Sequence, residues 1–127
     1  MPAEYYVDYR WFLERQAEIL PDDVRVNDFS VLVGMAARHR VDPPRHDHPD
    51  AFWRAAVILE ECVALRPLPT RNELYGYGLA IAYLGIHGEQ VNTKFEAWSE
   101  LIADIRALRL DSYSIADRLR SLRLPTT

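Results

Sequence analysis

Apolar residues recur at helical spacing along almost the whole chain. Tyr9, Phe12, Leu13, Ala17 and Leu20 fall on one side of a helix over Asp8–Leu20, with Asp8 as its cap and Pro21 as its stop. Pro21–Val26 is a connector. Asn27 or Asp28 then caps a second helix, whose stripe is Phe29, Leu32, Val33 and Ala36 and which fades near His39. Arg40–Pro49 is irregular, because Pro43, Pro44 and Pro49 rule out a helix interior. Pro49 suits the first turn of a third helix, which runs to about Leu65 with Phe52, Ala55, Ala56, Leu59 and Val63 on one face. Near the end, Asn92 or Thr93 opens a helix with Phe95, Trp98, Ile102, Ile105 and Leu108 inward. Asp111 or Ser112 caps a last one over Tyr113–Leu122, with Ile115, Leu119 and Leu122 inward.

Between these lies a stretch of a different kind. Leu74–Ile86 carries no charge and is apolar on every side of a helical wheel, the pattern of a helix wrapped by others. Thr70 and Glu73 have the spacing of a capping box, Pro67 and Pro69 stop the preceding helix, and Gly88 is a natural end. Gly76, Gly78 and Gly85 within it predict close approach of neighbouring helices. No alternating strand of useful length and no repeat is found. The expected fold is all-α: about six helices around this central buried one, as a single domain over 1–127, with frayed ends at 1–7 and 124–127. The sole strand signal is a short β-hairpin near residues 40–48.

Composition narrows the function. The net charge of -4 over 127 residues argues against nucleic acid as the main partner, since phosphate binding needs a basic face. No run is long enough for a membrane span, and the first residues lack the apolar core of a signal peptide. The single cysteine, Cys62, sits in a helical pattern and reads as a packed thiol. These features predict a cytoplasmic protein with no membrane partner. Glu60 and Glu61 are adjacent and point apart, so they are no catalytic pair. Arg118, Arg120 and Arg123 give the last helix a basic, solvated end.

Candidate chemistry gathers in two places. A proline-rich bend leads into a helix N-terminus at Arg66–Asn72, where unpaired N–H groups favour an anion and Arg66, Arg71 and Asn72 could help hold it. The Arg40–Pro49 loop carries His39, Asp42, Arg45, His46, Asp47 and His48 on or beside it. That spacing fits no closed zinc pattern, so no metal is expected.

The segment from Ala55 to Gly88 resembles the Fic/Doc family, and in size its Doc toxin branch from bacterial toxin–antitoxin pairs. That family has a helix opening on paired alanines, here Ala55 and Ala56. A loop of the form His-Pro-Phe-x-Asp-Gly-Asn-Lys-Arg follows, here Arg66-Pro67-Leu68-Pro69-Thr70-Arg71-Asn72-Glu73-Leu74. A buried helix then ends in Phe/Tyr-Leu-x-x-Asn-Gly, here Tyr83-Leu84-Gly85-Ile86-His87-Gly88. The likeness extends over roughly Asp28–Leu122, and it implies a helical Fic/Doc-like fold with a flap in the 40s that pairs with a target chain. It also locates what has changed. Arg66 stands where the family has its general base, Thr70 where it has the carboxylate that helps hold the metal, Arg71 where it has glycine, and Glu73 and Leu74 where it has phosphate-gripping cations. Only Pro67 and Asn72 are kept.

The resemblance therefore implies a catalytically degenerate protein that acts by binding, with no catalytic residue and no cofactor. Its partner would be an antitoxin or target protein, met through a flap of Asp42, Arg45, His46 and His48, through the Arg66–Asn72 bend or through the exposed end of the helix bundle. The alternatives are an active phosphotransferase or nucleotidyltransferase toxin using ATP and Mg²⁺ at a non-standard site, with Glu73 or His87 as replacement base, and a helical adaptor sharing only the fold.

Overall fold

In a computed structural model, residues 5–22, 25–44 and 49–125 are described, and they form six helices in sequence: α1 (Tyr9–Ile19), α2 (Phe29–His39), α3 (Ala51–Leu65), α4 (Asn72–Ile86), α5 (Phe95–Arg106) and α6 (Ser112–Arg120). Among the described residues there is no strand, only an isolated antiparallel bridge between Val91 and Arg123. The hairpin expected at 40–48 is absent from 40–44, and 45–48 lie outside the described residues. No helix of the described residues is long and apolar enough to cross a membrane.

The bundle has a central helix, and it is α3 rather than α4. Every residue from Phe52 to Leu59 is buried, Arg54 included, and α3 packs against α2, α4, α5 and α6. The one-faced pattern expected of α3 understates this, because Arg54, Glu60 and Glu61 break the apolar run while the intervening Trp53, Val57 and Ile58 are also covered. Helix α4 lies along it. An added Cβ at Gly76 would stand 3.2 Å from Cys62 Cβ and 3.3 Å from Leu59 Cδ1, and one at Gly78 would stand 2.6 Å from Ile19 of α1. Both positions permit close approach, whereas Gly85 has nothing within 4 Å. The uncharged wheel of α4 is thus covered by α3 and α1, and at Tyr77 by the rings of Phe95 and Trp98. Leu74 and Ile86 remain exposed.

Most helix ends follow the sequence. Asp8, Asp28 and Asp111 accept backbone N–H groups as N-caps of α1, α2 and α6. The third cap is Asp50, accepting from Trp53 N at 3.0 Å, so Pro49 lies just outside α3 rather than in its first turn. Asp50 also takes a two-pronged contact from Arg120, Nε at 3.0 Å and Nη2 at 2.9 Å, joining the end of α6 to the start of α3. Burial pushes the Asp50 carboxyl up; Arg120 and the Trp53 N–H more than offset this, and it lies below its usual value. Helix α5 begins later than expected, at Phe95 after Lys94, with no side-chain cap. Gly88 closes α4 as expected, at φ 74. Leu108 closes α5 the same way at φ 60, with its N–H on Ile105 O and Arg109 N–H on Asp104 O. This turn throws Leu108 out to 82% exposure instead of inward.

Two stripes are rotated from their expected positions. The face α2 buries is Leu32, Met35, Ala36 and His39, leaving Phe29 and Val33 each 53% exposed. In α1 it is Phe12 and Gln16, with Leu20 just beyond, so Tyr9 and Ala17 face out. Phe95 is likewise exposed. The ends expected to fray are held where they are described. Tyr5 O accepts from Tyr83 Oη at 2.7 Å, Val7 is buried, and Leu124 N donates to Gln90 O at 2.8 Å. Residues 1–4 and 126–127 lie outside the described residues.

His39 fastens the leading segment. Its ring is fully buried; Nδ1–H donates to Ala36 O at 2.5 Å and Nε2 accepts from Val7 N–H at 3.0 Å, which fixes the neutral tautomer. Burial chiefly, helped by the charges of Arg40 and Arg54 and opposed by the Ala36 carbonyl, lowers its pKa from 6.5 to about 4. The unfolded chain therefore takes up this proton first as pH falls. Stability is expected to be complete above pH 6.5 and to drop by about 3 kcal/mol between there and pH 4. Denaturant titrations over this range should show the slope, and His39→Gln should flatten it. Loss from Asp50 begins lower, below 3.8, so the two are separable.

Candidate functional site

The bend between α3 and α4 is built around one amide. Leu65 ends α3, and Pro67 and Pro69 prevent it from continuing. Arg66 turns the chain in left-handed backbone (φ 53), and Arg71 turns it again (φ 60) into α4. Between them, Asn72 reaches back to Leu68: Oδ1 accepts Leu68 N–H at 2.9 Å and Nδ2 donates to Leu68 O at 3.0 Å. Asn72 is 5% exposed and Leu68 2%. Pro67 O accepts from Asn27 N at 2.8 Å and Asp28 N at 3.2 Å, tying the bend to the start of α2.

This geometry displaces the expected capping box. Arg71 occupies the N-cap position of α4, without a side-chain cap hydrogen bond, and Thr70 is exposed one residue too early. Glu73, freed from capping, forms an ion pair with Arg106 of α5. Of the predicted anion-binding residues, Arg66 and Arg71 are exposed at the two ends of the bend, and Asn72 is buried with both amide atoms engaged by Leu68. His87 lies at the far end of α4, roughly 22 Å along the helix from Asn72. Its Nε2 is 3.2 Å from Tyr5 O and its ring packs on Tyr83.

A second constellation forms where the chain leaves α2. Arg54, 1% exposed, carries a full charge into the bundle. Its Nη1 donates to His39 O at 2.9 Å and its Nη2 to Asp42 Oδ1 at 2.9 Å, while Tyr6 lies 5.1 Å from the guanidinium. Asp42, expected to face a partner, is thus engaged within the chain; Arg45, His46 and His48 lie outside the described residues. Sequence reasoning passed over Arg54. The signal was available: a charge between Trp53 and Ala55 in an apolar run must find partners if the run is buried.

At Asp42 opens a cleft of about 470 Å³ whose lining includes Arg38, Val41, Pro43, Pro44, Trp53, Glu60, Ser112 and Tyr113. The rings of Trp53 and Tyr113 are 4.9 Å apart and tilted at 43°. Glu60 accepts from Ser112 Oγ at 2.5 Å, and Arg38 bridges to Glu61 at 3.1 Å and Glu60 at 3.8 Å. Arg66, Arg71 and Asn72 are not part of the lining. This cleft and the bend are therefore separate places. Among the described residues, no three His, Cys, Asp or Glu side chains are grouped to hold a metal ion. The arginines at the end of α6 are paired at the surface: Arg118 with Asp104, Arg120 with Asp50 and Asp117, and Arg123 with Glu89.

No protein-family model matches the chain, and no curated protein matches it.

Asn72→Ala strips Leu68 of both backbone partners in a buried setting. It is expected to destabilise the fold by about 2–3 kcal/mol, measured by chemical denaturation. Thr70→Ala, which the capping-box reading would make costly, is expected to change stability by less than about 0.5 kcal/mol.

Proposed function

We propose that the chain is a Fic/Doc-like protein that binds and does not transfer: a cytoplasmic protein derived from the toxin of a toxin–antitoxin pair, with a protein as its partner and no resident cofactor. The observation that carries this reading is the occupancy of the bend. Phosphoryl or nucleotidyl transfer needs a base able to take a proton, cations on the phosphates and a carboxylate for the metal. At the corresponding positions stand Arg66, whose guanidinium stays protonated, Thr70, which has no carboxylate, and Glu73, whose negative charge would repel phosphate. The one retained amide, Asn72, is committed to Leu68. Glu73 in turn is paired with Arg106 of α5.

A protein partner is supported by the cleft at Asp42, which combines aromatic, proline and charged lining next to an irregular segment. The net charge of -4 and the paired arginines of α6 disfavour nucleic acid. The alternative of an active transferase meets the repulsion at Glu73, and its other candidate base, His87, stands a helix length from the bend.

Calorimetry with ATP and Mg²⁺ tests the reading, together with transfer of label from α- and γ-labelled ATP to lysate proteins. No heat and no transfer are expected. Micromolar binding that disappears in Arg71→Ala, or any label transfer lost in Arg66→Ala, would return the chain to the transferases.

A further inference from the structure

The chain ahead of α1 lies across the ends of two helices, and side chains of the bundle hold its backbone. Tyr83 Oη donates to Tyr5 O at 2.7 Å, and His87 Nε2–H reaches the same carbonyl at 3.2 Å. Arg40 Nη2 donates to Val7 O at 3.0 Å, and Val7 N–H donates to His39 Nε2 at 3.0 Å. Of residues 5–7 only Val7 is buried, while Tyr5 and Tyr6 are exposed. Helix α1 does not need them to start, because Asp8 caps it through the N–H groups of Arg10 and Trp11. We propose that residues 5–7 are an acid-released latch: when His39 takes up a proton, they leave the ends of α2 and α4 while the six helices stay folded.

Of these links, the one at His39 is broken by a proton. Its Nδ1–H is already given to Ala36 O, so the proton goes to Nε2, where it stands against the Val7 N–H, donor to donor. The groups facing the ring make the new charge costly. Tyr6 meets it edge-on from the latch, 5.8 Å between ring centres, and Tyr83 from α4, at 5.6 Å, with His87 on Tyr83 in turn. Arg40 follows His39 in the chain, and Arg54 of α3 binds its carbonyl and carries Asp42 on its other nitrogen. Burial first, and then these two guanidiniums, lower the His39 pKa to about 4. Release of the latch lets water reach the ring and restores the ordinary 6.5, so protons favour the open form between these values. The other links lack this property. His87 donates to Tyr5 O with or without a further proton, and Arg40 stays charged. Release uncovers the rings of His39 and Tyr83, both fully buried in the closed molecule. It gives up one buried apolar side chain, Val7, which makes it a far smaller event than unfolding.

Native-state hydrogen exchange on the ¹⁵N-labelled full chain tests the latch, with each amide referred to its own unprotected rate at the same pH. The Val7 amide is expected to exchange through an opening that low concentrations of denaturant leave unchanged. Val57 and Ile58, at the centre of α3, should exchange only through denaturant-sensitive global unfolding. Between pH 7 and pH 5 the protection of Val7 should fall about twentyfold. In His39→Gln, whose amide can still accept from Val7 and donate to Ala36, that fall should vanish; in His87→Gln it should persist. The ring ¹⁵N signals of His39 in the unsubstituted chain give a readout that needs no variant, and should keep the neutral Nδ1–H tautomer down to pH 5. A Val7 opening with the denaturant dependence of α3, protection that stays flat from pH 7 to pH 5, a fall that survives in His39→Gln, or a ring that titrates near 6.5 while Val7 stays protected would each overturn the proposal. None of these signals involves Arg66, Arg71 or Asn72, so the outcome is independent of what the bend binds.

Discussion

The burial of α3 on all sides is the constraint from which the rest of the molecule follows. A helix covered from Phe52 to Leu59 leaves no solvent face on which to put a charge, yet it carries Arg54 there. A buried guanidinium persists only with acceptors around it. His39 O and Asp42 provide them, which sets the end of α2 and the path of the chain leaving it. The same demand for coverage brings the end of α6 onto the start of α3 through Arg120 and Asp50, and brings α4 close enough that a Cβ at Gly76 would crowd Cys62.

The two candidate places lie at different positions along that axis and differ in how their polar groups are used. At the bend beyond Leu65, Asn72, Pro67 and Glu73 spend their hydrogen-bonding and charge on neighbouring parts of the chain. In the cleft beside Trp53, Glu60 and Glu61 share Arg38, and Asp42 meets Arg54, around an open volume. A bend that satisfies itself is a structural joint.

Much of the fold was legible in the sequence because local rules act there without rivals. Asp8, Asp28 and Asp111 cap where short-range patterning puts them, and Gly88 ends α4 as a glycine should. What was not legible depends on contacts distant in the chain. The uncharged run of α4 outweighed α3 as a candidate centre because charge is visible in a sequence and the partners of Arg54 are not. The capping box at Thr70 and Glu73 failed because a side chain two residues beyond Thr70 closes on Leu68 and shifts the helix start. Phe29 and Val33 lie outside because a rotation of one residue in α2 places His39 beneath Val7. Asp42, expected in a partner-facing flap, meets Arg54 within the chain, and the cleft's aromatic pair comes from two helices far apart in sequence.

The close packing of α4 on Cys62 has a consequence for how the molecule's motions can be watched. Cys62 is the single thiol, it is fully buried, and burial raises its pKa, so in the closed bundle it is neither ionised nor reachable by a reagent. It lies on the seam between α3 and α4, with Sγ 3.4 Å from Asn72 O. Alkylation can therefore proceed only while that seam is open. The chain carries a built-in clock at its own centre, whose rate under native conditions counts the openings of the two helices that everything else leans on.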